Sequence, residues 1–560
     1  MPLLLWILTI VAIIVALLIL VASYDAFFQD KDAIKSNFPL IGRFRYFFYD
    51  LRPFFRQYFG DDNAFTPRII IDWIEHVARG KKGYFSFDTF DSSGEFRDDT
   101  YKMVHAPVPY NNDEMDPQYP LVWEKRTHPL QFQGYLYRSA MSLGSLSFEA
   151  TSAMAKACAD VWACFNTGEW GLSVHHIPNV PFSYDKKYFM YKKIPAWTKI
   201  LYTLLPWIRA KNRFLERCGN FFEKEKGERD LFLFDKKHRV FYKIDRDAPL
   251  DVFPRPEDLD EDFWKIIFQV GSGLYGLRKK TPDGSLEIDR ERFQKVASFA
   301  RAIEIKLAQG AKQTGGILKA EKNTKTIAEI RGVRPHIDLV SPNRFPYLDH
   351  DDMSWFFEFI ETVSEKAWGK PVGFKIVISW KENIDPFAKY MAGLPKDKWP
   401  DFITIDGGDG GSATAPIALG VLFGKRIYEA LDIVDKSLKE YGVRDRIKIF
   451  ASSKLYAPHM SAKALAMGAD AIGNARSIMI AWGCIRAGLC SGEFGVCPIG
   501  MATMKKGKRR GYEQVRSTKV KQIANYIKAH NKGLIQIAAV AWVKSPHLLS
   551  EKHLVGRWKN

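Results

Sequence analysis

Short apolar runs rich in β-branched residues alternate with amphipathic helical patterns through the second half of the chain. A helix between two strands returns the chain to the edge from which it left, so such strands pair in parallel. We therefore predict a parallel sheet covered by helices. The predicted strands are AIEIKLAQG from Ala302, HIDLVSP from His336, VGFKIVIS from Val372, DFITIDGG from Asp401, RIKIFASS from Arg446 and AIGNA from Ala471.

Each predicted strand runs directly into a polar or glycine-containing segment. In chain order these segments are QGAK, SPNR, SW, DGGDGG, SSK and GNAR. One such loop is explained by a tight strand-to-helix turn. Six at equivalent places indicate the active-site face of a (β/α)8 barrel, which lies at the carboxyl ends of the strands. The predicted fold class is α/β, a (β/α)8 TIM barrel.

Two of these loops have the composition of a phosphate site. Residues 451–454 (ASSK) and 473–476 (GNAR) each place small residues before a cation. Backbone N–H groups and a positive charge then face the same anion. Barrels commonly bind phosphate between the loops that follow their last two strands, so we predict a phosphate-bearing ligand here.

Several motifs, in order along the chain, resemble the synthase domain of glutamate synthases. The closer resemblance is to the membrane-anchored, stand-alone, FMN-binding members of that family. The motifs include SAMSLGSLS at 139–147, NTGE at 166–169, QVGSGLYG at 269–276, EIKLAQGAK at 304–312 and DGGDGG at 406–411. The resemblance covers roughly residues 135–503. It implies an FMN oxidoreductase that carries out the reductive amination of 2-oxoglutarate to glutamate.

The resemblance also implies which residues bind FMN. SAMSLGSLS would lie along the flavin, and Lys375 would lie beside the ring, where positive charge stabilises the reduced form. The two phosphate loops would hold the FMN phosphate. The cofactor-binding residues implied in this way are Ala140, Met141, Ser142, Asn166, Gln269, Lys375, Gly410, Gly411, Ser452, Ser453, Lys454, Gly473, Asn474, Ala475 and Arg476.

Three charged residues are implied to be catalytic. Lys312 and Arg331 would pair with the carboxylates of a 2-oxo acid, a small-molecule substrate. Glu169 would move a proton or position ammonia.

The substrate loop departs from the family pattern. It is one residue shorter after Lys312, and Ile317, or Gln313 after realignment, stands where the family has glutamine. Trp170 stands where the family has glycine, and an indole there would change what the pocket accepts. These departures leave open two alternatives: a membrane flavoenzyme for another substrate, coupled to quinone, or a non-catalytic barrel subunit of a membrane complex.

Three of the 6 cysteines are clustered in GCIRAGLCSGEFGVCP. In the family, three cysteines at this place bind a three-iron, four-sulfur cluster, and thiolates are the usual ligands of iron–sulfur clusters. The resemblance therefore implies an iron–sulfur cluster on Cys484, Cys490 and Cys497. The second gap between cysteines is longer than in the family, and Ser491 replaces a histidine.

The sequence predicts partners for electrons and ammonia. It has no GxGxxG motif after a predicted strand, and it begins with an apolar segment instead of an amidotransferase domain. We expect electrons from a donor such as ferredoxin or a membrane quinol pool. The net charge of +18 is spread along the chain without a nucleic-acid-binding motif, so we predict no nucleic-acid partner.

The N-terminal residues 3–23 (LLLWILTIVAIIVALLILVAS) carry no charge. About 20 such residues span a bilayer core of roughly 30 Å. No basic residue precedes this run, whereas Lys31, Lys35, Arg43 and Arg45 follow it. We predict an uncleaved, single-pass anchor in the lipid bilayer, with the catalytic domain facing the cytoplasm.

The chain is predicted to have four parts. Residues 1–24 form the transmembrane anchor, 25–130 a membrane-proximal region, 131–510 the barrel, and 511–560 a C-terminal helical extension. Within the membrane-proximal region, residues 38–59 alternate basic and aromatic residues, which suits either the lipid headgroup level or packing on the barrel. A large insertion at about 177–262, in the first part of the barrel, is predicted to be a second membrane contact, a partner surface, a lid or an extra packing layer.

Overall fold

Eight strands form a closed parallel barrel in the computed structural model, which confirms the predicted α/β fold. The strands are Leu136–Arg138 (β1), Phe165–Asn166 (β2), Ile266–Val270 (β3), Ala302–Lys306 (β4), Val372–Ile376 (β5), Phe402–Asp406 (β6), Lys448–Ser452 (β7) and Ala471–Asn474 (β8). Each strand pairs with the next, and β8 closes on β1. The structure describes residues 2–49, 68–82, 102–123, 126–177, 232–235, 240–243, 265–280, 286–310, 315–349, 351–412, 414–415, 419, 422–486, 489–491 and 496–555.

The barrel strands are buried on both faces, because helices cover the outside and side chains fill the inside. This explains their nearly continuous apolar sequences. An aromatic and aliphatic cluster lies between the strands and the Leu121–Val122 and Leu130–Gln131 hairpin. The polar residues lie towards the carboxyl ends of the strands, where the register sets Lys306 beside Lys375 and Asp406 beside Ser452.

The predicted strand from His336 is wrong as a barrel strand. Only Leu339–Val340 is extended, and it pairs antiparallel with Ile317–Leu318. Leu339 is buried while Val340 is 59% exposed, so one face of this short strand is in solvent. A strand of a parallel barrel is instead covered on both faces. The segment between β4 and β5 instead folds over the carboxyl end of the barrel.

Helices follow most of the barrel strands and cover the outside of the sheet. Side-chain caps start several of them: Ser147, Asp289 and Thr324 each accept a backbone N–H from the first turn of the helix that follows. The covering helices are Phe148–Ala159, Arg290–Ser298, Ser354–Lys366, Asp385–Ala392, Ile427–Glu440, Pro458–Ala466 and Arg476–Ala481, whereas Lys325–Arg331 belongs to the segment over the carboxyl end of the barrel.

The N-terminal apolar run is an α-helix over Pro2–Ser23, continued by the π-helix Tyr24–Phe28. Its large apolar side chains are exposed, and within the described ranges it is the one helix long and apolar enough to cross a membrane. The short helix Ala33–Asn37 and the helix Arg68–Ala78 then pack on the C-terminal helix Lys506–Val540. That C-terminal helix begins five residues before the predicted boundary at 511.

Two predicted regions are described only in part. Of residues 38–59, only 38–49 are described; residues 41–49 are helical, with Ile41, Phe44, Phe47 and Phe48 more than half exposed. Of the insertion at about 177–262, the structure describes residue 177 and an antiparallel hairpin of Phe232–Asp235 with Val240–Lys243. The roles predicted for both regions stay predictions.

Candidate active site

A cavity of about 270 Å³ opens at the carboxyl ends of the barrel strands, where the sequence predicts the active site. It is lined by residues near the carboxyl ends of five strands, β3 to β7, and by loops that follow the barrel strands. All but three of the predicted flavin-binding residues line it. The other lining residues include Ser139, Leu146, Glu169, Trp170, Lys306, Gln309, Gly316, Ile317, Leu318, Asp406, Tyr456, Met479 and Cys490.

A buried carboxylate at the bottom of the cavity accepts hydrogen bonds from several neighbouring side chains. Glu304 on β4 accepts hydrogen bonds from Asn166 Nδ2 at 2.7 Å, Gln269 Nε2 at 2.5 Å and Thr404 Oγ1 at 2.5 Å. These donors come from three other strands, so the four side chains meet inside the barrel. Three hydrogen bonds to one carboxylate offset the cost of its burial and fix the two amide side chains predicted to face the flavin.

A buried ion pair joins two functional groups in the cavity. Lys306 Nζ lies 2.5 Å from Glu169 Oε1, and the two side chains are only 5% and 6% exposed. The same Nζ donates to Gln309 Oε1 at 2.8 Å, and Ser341 Oγ lies 3.4 Å from Glu169 Oε2. Burial lowers the pKa of Lys306, and the Glu169 carboxylate opposes this effect. The pair therefore offers an ammonium donor and a carboxylate acceptor side by side.

A second charge pair lies on the neighbouring strands. Lys375 Nζ on β5 is 3.7 Å from Asp406 Oδ2 at the end of β6. Burial raises the pKa of Asp406, while Lys375 and the backbone N–H of Gly310 lower it. Lys375 is 5% exposed and lines the cavity, so its charge is available to a ring bound there.

The two predicted phosphate loops meet at the cavity wall. Ser453, Lys454 and Arg476 line it together with Gly411. A Cβ atom at Gly411 would lie 2.5 Å from Arg476 Nη2, so the glycine leaves room for the guanidinium. Arg476 Nη1 also donates to the Tyr456 hydroxyl at 2.9 Å, which holds its side chain in place.

Three predicted flavin-binding residues do not line the cavity. Asn166 lies below it, bound to Glu304. Asn474 Nδ2 donates to the Leu455 carbonyl oxygen at 2.6 Å, and Gly473 packs so closely on Tyr137 that a Cβ would lie 2.7 Å from the ring. All three therefore support the cavity from behind its wall.

The three predicted catalytic residues are placed differently from one another. Glu169 lines the cavity, whereas Lys312 lies outside the described residues. Arg331 is 1% exposed and does not line the cavity. Its guanidinium stacks on Trp170, with Cζ 4.2 Å from the ring centroid, and Nη2 donates to the Leu143 carbonyl oxygen at 2.6 Å.

The three clustered cysteines lie near one another beside the cavity. Burial, together with the thiols of Cys490 and Cys497, raises the pKa of Cys484 to about 11. Burial and the Cys497 thiol also raise the pKa of Cys490, whereas Lys322 lowers it. Across the described ranges, no three histidine, cysteine or carboxylate side chains converge closely enough to hold a metal ion as placed. Residues 492–495 of the cysteine loop lie outside those ranges.

Sequence reasoning missed Glu304 and Lys306. Both stand in AIEIK, two residues apart in an otherwise apolar strand, so their side chains share one face. A charged side chain buried in a barrel strand needs a partner. The two charges in this apolar strand were therefore the signal that could have identified both residues. The structure supplies that partner for Lys306 in Glu169.

Most of the chain is similar in sequence to known proteins. The model of a conserved region in glutamate synthase matches residues 100–544, which include the whole cavity. The glutamate synthase large subunit-like protein YerD of Bacillus subtilis is 30% identical over 580 residues, covering 94% of this chain and 90% of the relative. An archaeal glutamate synthase (NADPH) of Methanocaldococcus jannaschii is 31% identical over 282 residues, which is 50% of each chain. A ferredoxin-dependent glutamate synthase of Pyropia yezoensis is 30% identical over 44% of this chain and 15% of the relative.

Proposed function

The chain belongs to the glutamate synthase family, whose members are oxidoreductases acting on CH–NH2 donors, and we propose that it is a membrane-anchored FMN enzyme for the reductive amination of a 2-oxo acid. The observation that carries this proposal is the buried Glu169–Lys306 pair, which lies in the same cavity as the predicted flavin residues. In the reaction, a 2-oxo acid and ammonium take up two electrons and two protons, form the amino acid and release water.

The described residues suit FMN. Lys454, Arg476 and the small residues of the two loops suit the phosphate, and Lys375 suits the anionic edge of a reduced ring. Gln269 is held by Glu304 and lines the cavity, so its amide suits a polar edge of the ring. The chemistry that FMN supplies when bound is hydride transfer.

The protein's own groups would handle protons and ammonia. Lys306 is positioned to donate a proton towards the carbonyl oxygen that leaves as water, because its Nζ lies in the cavity and is already a hydrogen-bond donor. Glu169 is positioned to accept hydrogen bonds from ammonia beside it. Lys312 remains the predicted partner of the carboxylate next to the keto group.

We also propose an iron–sulfur cluster on Cys484, Cys490 and Cys497. It is supported by the proximity of the three thiols and by the position of Cys490 in the cavity wall. A cluster beside a flavin supplies one-electron transfer from an external donor, such as a reduced ferredoxin or a quinol. Metal analysis of the purified protein tests this: loss of iron in Cys490→Ala with the flavin retained supports it, and an iron-free wild type contradicts it.

The proposed anchor is the exposed helix at the N-terminus. Its length and lack of charge support a single crossing of the bilayer, and the basic residues after it support a cytoplasmic catalytic domain. Removing residues 2–28 should move the protein from the membrane to the soluble fraction with its flavin. A truncated protein that stays in the membrane through detergent-free washing would contradict the assignment.

The test of the reaction uses the purified full-length protein, reduced ferredoxin, ammonium and a set of 2-oxo acids that includes 2-oxoglutarate. The flavin absorption spectrum is recorded first, because a colourless protein would contradict FMN binding and favour a non-catalytic role. Amino acid formation that requires both the reductant and ammonium supports the proposal. Failure of every 2-oxo acid with a fully flavin-loaded protein would rule out reductive amination.

A further inference from the structure

Trp170 stands between the cavity and Arg331. The indole is 4% exposed and lines the cavity, whereas Arg331, stacked on it, does not. Tyr275 stacks on the same indole with ring centroids 4.4 Å apart and planes at 23°. Two groups so close to one ring centroid must take opposite faces. The indole is therefore clamped, and only its edge reaches the cavity.

The two residues that stack on the indole, Arg331 and Tyr275, each donate a hydrogen bond to a backbone carbonyl oxygen. Arg331 Nη2 donates to Leu143, and the Tyr275 hydroxyl donates to the Val340 carbonyl oxygen at 3.1 Å. Arg331 Nη1 is buried and has no hydrogen-bond partner among the described residues. A buried guanidinium nitrogen without a partner is costly, and the stacking on Trp170 offsets part of that cost.

Each cation that lines the described part of the cavity already has a carboxylate partner or a predicted role in binding phosphate. Lys306 pairs with Glu169 and Lys375 with Asp406, while Lys454 and Arg476 lie in the predicted phosphate loops. Lys312 serves the first carboxylate of the substrate in the proposed function. A second carboxylate would need Arg331, which the indole shields.

The wall beside the Trp170 edge is apolar. A Cβ at Gly316 would lie 3.0 Å from Trp170 Cζ2, so the substrate loop touches the indole. Ile317 and Leu318 continue this loop and line the cavity, and Leu318 packs in the same apolar cluster as Trp170. This wall suits an uncharged side chain, and its described residues carry no cation to pair with a carboxylate.

We propose that Trp170 is the specificity-determining residue of this site, and that the substrates are 2-oxo acids with a short, uncharged side chain instead of 2-oxo dicarboxylates. The inference rests on the proposed function and names its substrate class. Removing the indole would open Arg331 to the cavity and give a second carboxylate its partner.

The experiment measures binding and turnover separately in the full-length, flavin-loaded protein. Calorimetry without ammonium or reductant gives the Kd of pyruvate, 2-oxobutyrate and 2-oxoglutarate; the amination assay gives kcat/KM for each. The wild type should prefer the two monocarboxylates in both measurements. Trp170→Ala should shift the ratio of affinities towards 2-oxoglutarate by about tenfold or more, the range of a charge-assisted hydrogen bond.

Two further variants control the result. Trp170→Phe keeps an aromatic ring over Arg331 and should keep the wild-type preference. Trp355→Ala removes a 58% exposed indole outside the cavity lining and should change nothing. A wild type that binds 2-oxoglutarate more tightly than the monocarboxylates overturns the inference, as does an unchanged ratio in a folded Trp170→Ala. Absence of turnover with intact, selective binding would instead refute the proposed reaction and leave the specificity assignment standing.

Discussion

The buried Glu169–Lys306 pair gives a quantitative test of the site. Lys306→Met leaves the Glu169 carboxylate buried without its cation, and Glu169→Gln leaves the Lys306 ammonium without its anion. The side chains are only 5% and 6% exposed, so little water is available to either remaining charge. Removing one partner of a buried pair typically costs about 3–5 kcal/mol, whereas an exposed pair contributes about 0–1 kcal/mol. Each single variant should therefore lose about 3–5 kcal/mol of unfolding free energy.

The double variant Glu169→Gln/Lys306→Met separates the pair from its surroundings. It buries no net charge, so it should recover most of the loss, with a coupling energy of about 2 kcal/mol or more. Equilibrium unfolding in urea, followed by tryptophan fluorescence and circular dichroism in detergent, gives the four free energies. Lys436→Met is the matched control, because Lys436 is 63% exposed and pairs with Asp432 at 2.8 Å on a helix surface.

The pH dependence of the unfolding free energy gives a second, independent test of this pair. Burial lowers the pKa of Lys306 below its ordinary value of 10.5, and Glu169→Gln removes the main opposing charge. Between the folded and unfolded pKa values, the unfolded chain then binds more protons. The unfolding free energy of Glu169→Gln should accordingly rise with pH towards 10.5, by at most about 1.4 kcal/mol per pH unit. Additive single losses, or losses below about 1 kcal/mol, would refute the burial argument.

Other variants test buried interactions in the barrel and in the helices that cover it. Burial lowers the pKa of His530 to about 3, so the unfolded chain binds more protons below pH 6.5; the wild type should lose stability as the pH falls from 6.5 towards 3, and His530→Asn should lose less in thermal melts across that range. Arg446→Met removes a cation 2.6 Å from the buried Asp401 carboxylate, which keeps Arg126 at 3.1 Å and the Val372 N–H at 2.7 Å, so urea unfolding should show a loss of about 1–3 kcal/mol. Gly473→Ala places a Cβ 2.7 Å from the Tyr137 ring and should cost about 1–3 kcal/mol by overpacking, with a lower flavin content in absorption spectra.

The strands could be predicted because each carries one strong local signal. AIEIK, FITID and KIFAS are largely buried on both faces in the barrel, so most of their residues are apolar, with isoleucine recurring in all three. HIDLVSP has a similar composition, and composition does not distinguish a barrel strand from a short surface strand. That distinction depends on whether both faces are covered, which is a property of the folded chain.

The site could be predicted to the extent that it lies at strand ends. Lys375, Ser452 and Asp406 meet because the carboxyl ends of parallel strands share one end of the barrel. The position of Arg331 could not be predicted in the same way. It belongs to the helix Lys325–Arg331 in the excursion between β4 and β5, and its contact with Trp170 depends on how that excursion folds back.

The membrane-proximal segment contacts the cysteine loop, which would connect the proposed tether with the proposed site of electron entry. Asn37 Nδ2 donates to the Pro498 carbonyl oxygen at 2.9 Å, directly after Cys497, and Ala33 and Ile34 share a core cluster with that cysteine. From Phe28, at the end of the apolar helix, to Ala33 the chain spans at most about 18 Å even when fully extended. With that helix in the bilayer, as proposed, the cysteine loop is held close to the membrane surface. The proposed donor, a ferredoxin or a membrane quinol, would then deliver electrons close to the membrane surface.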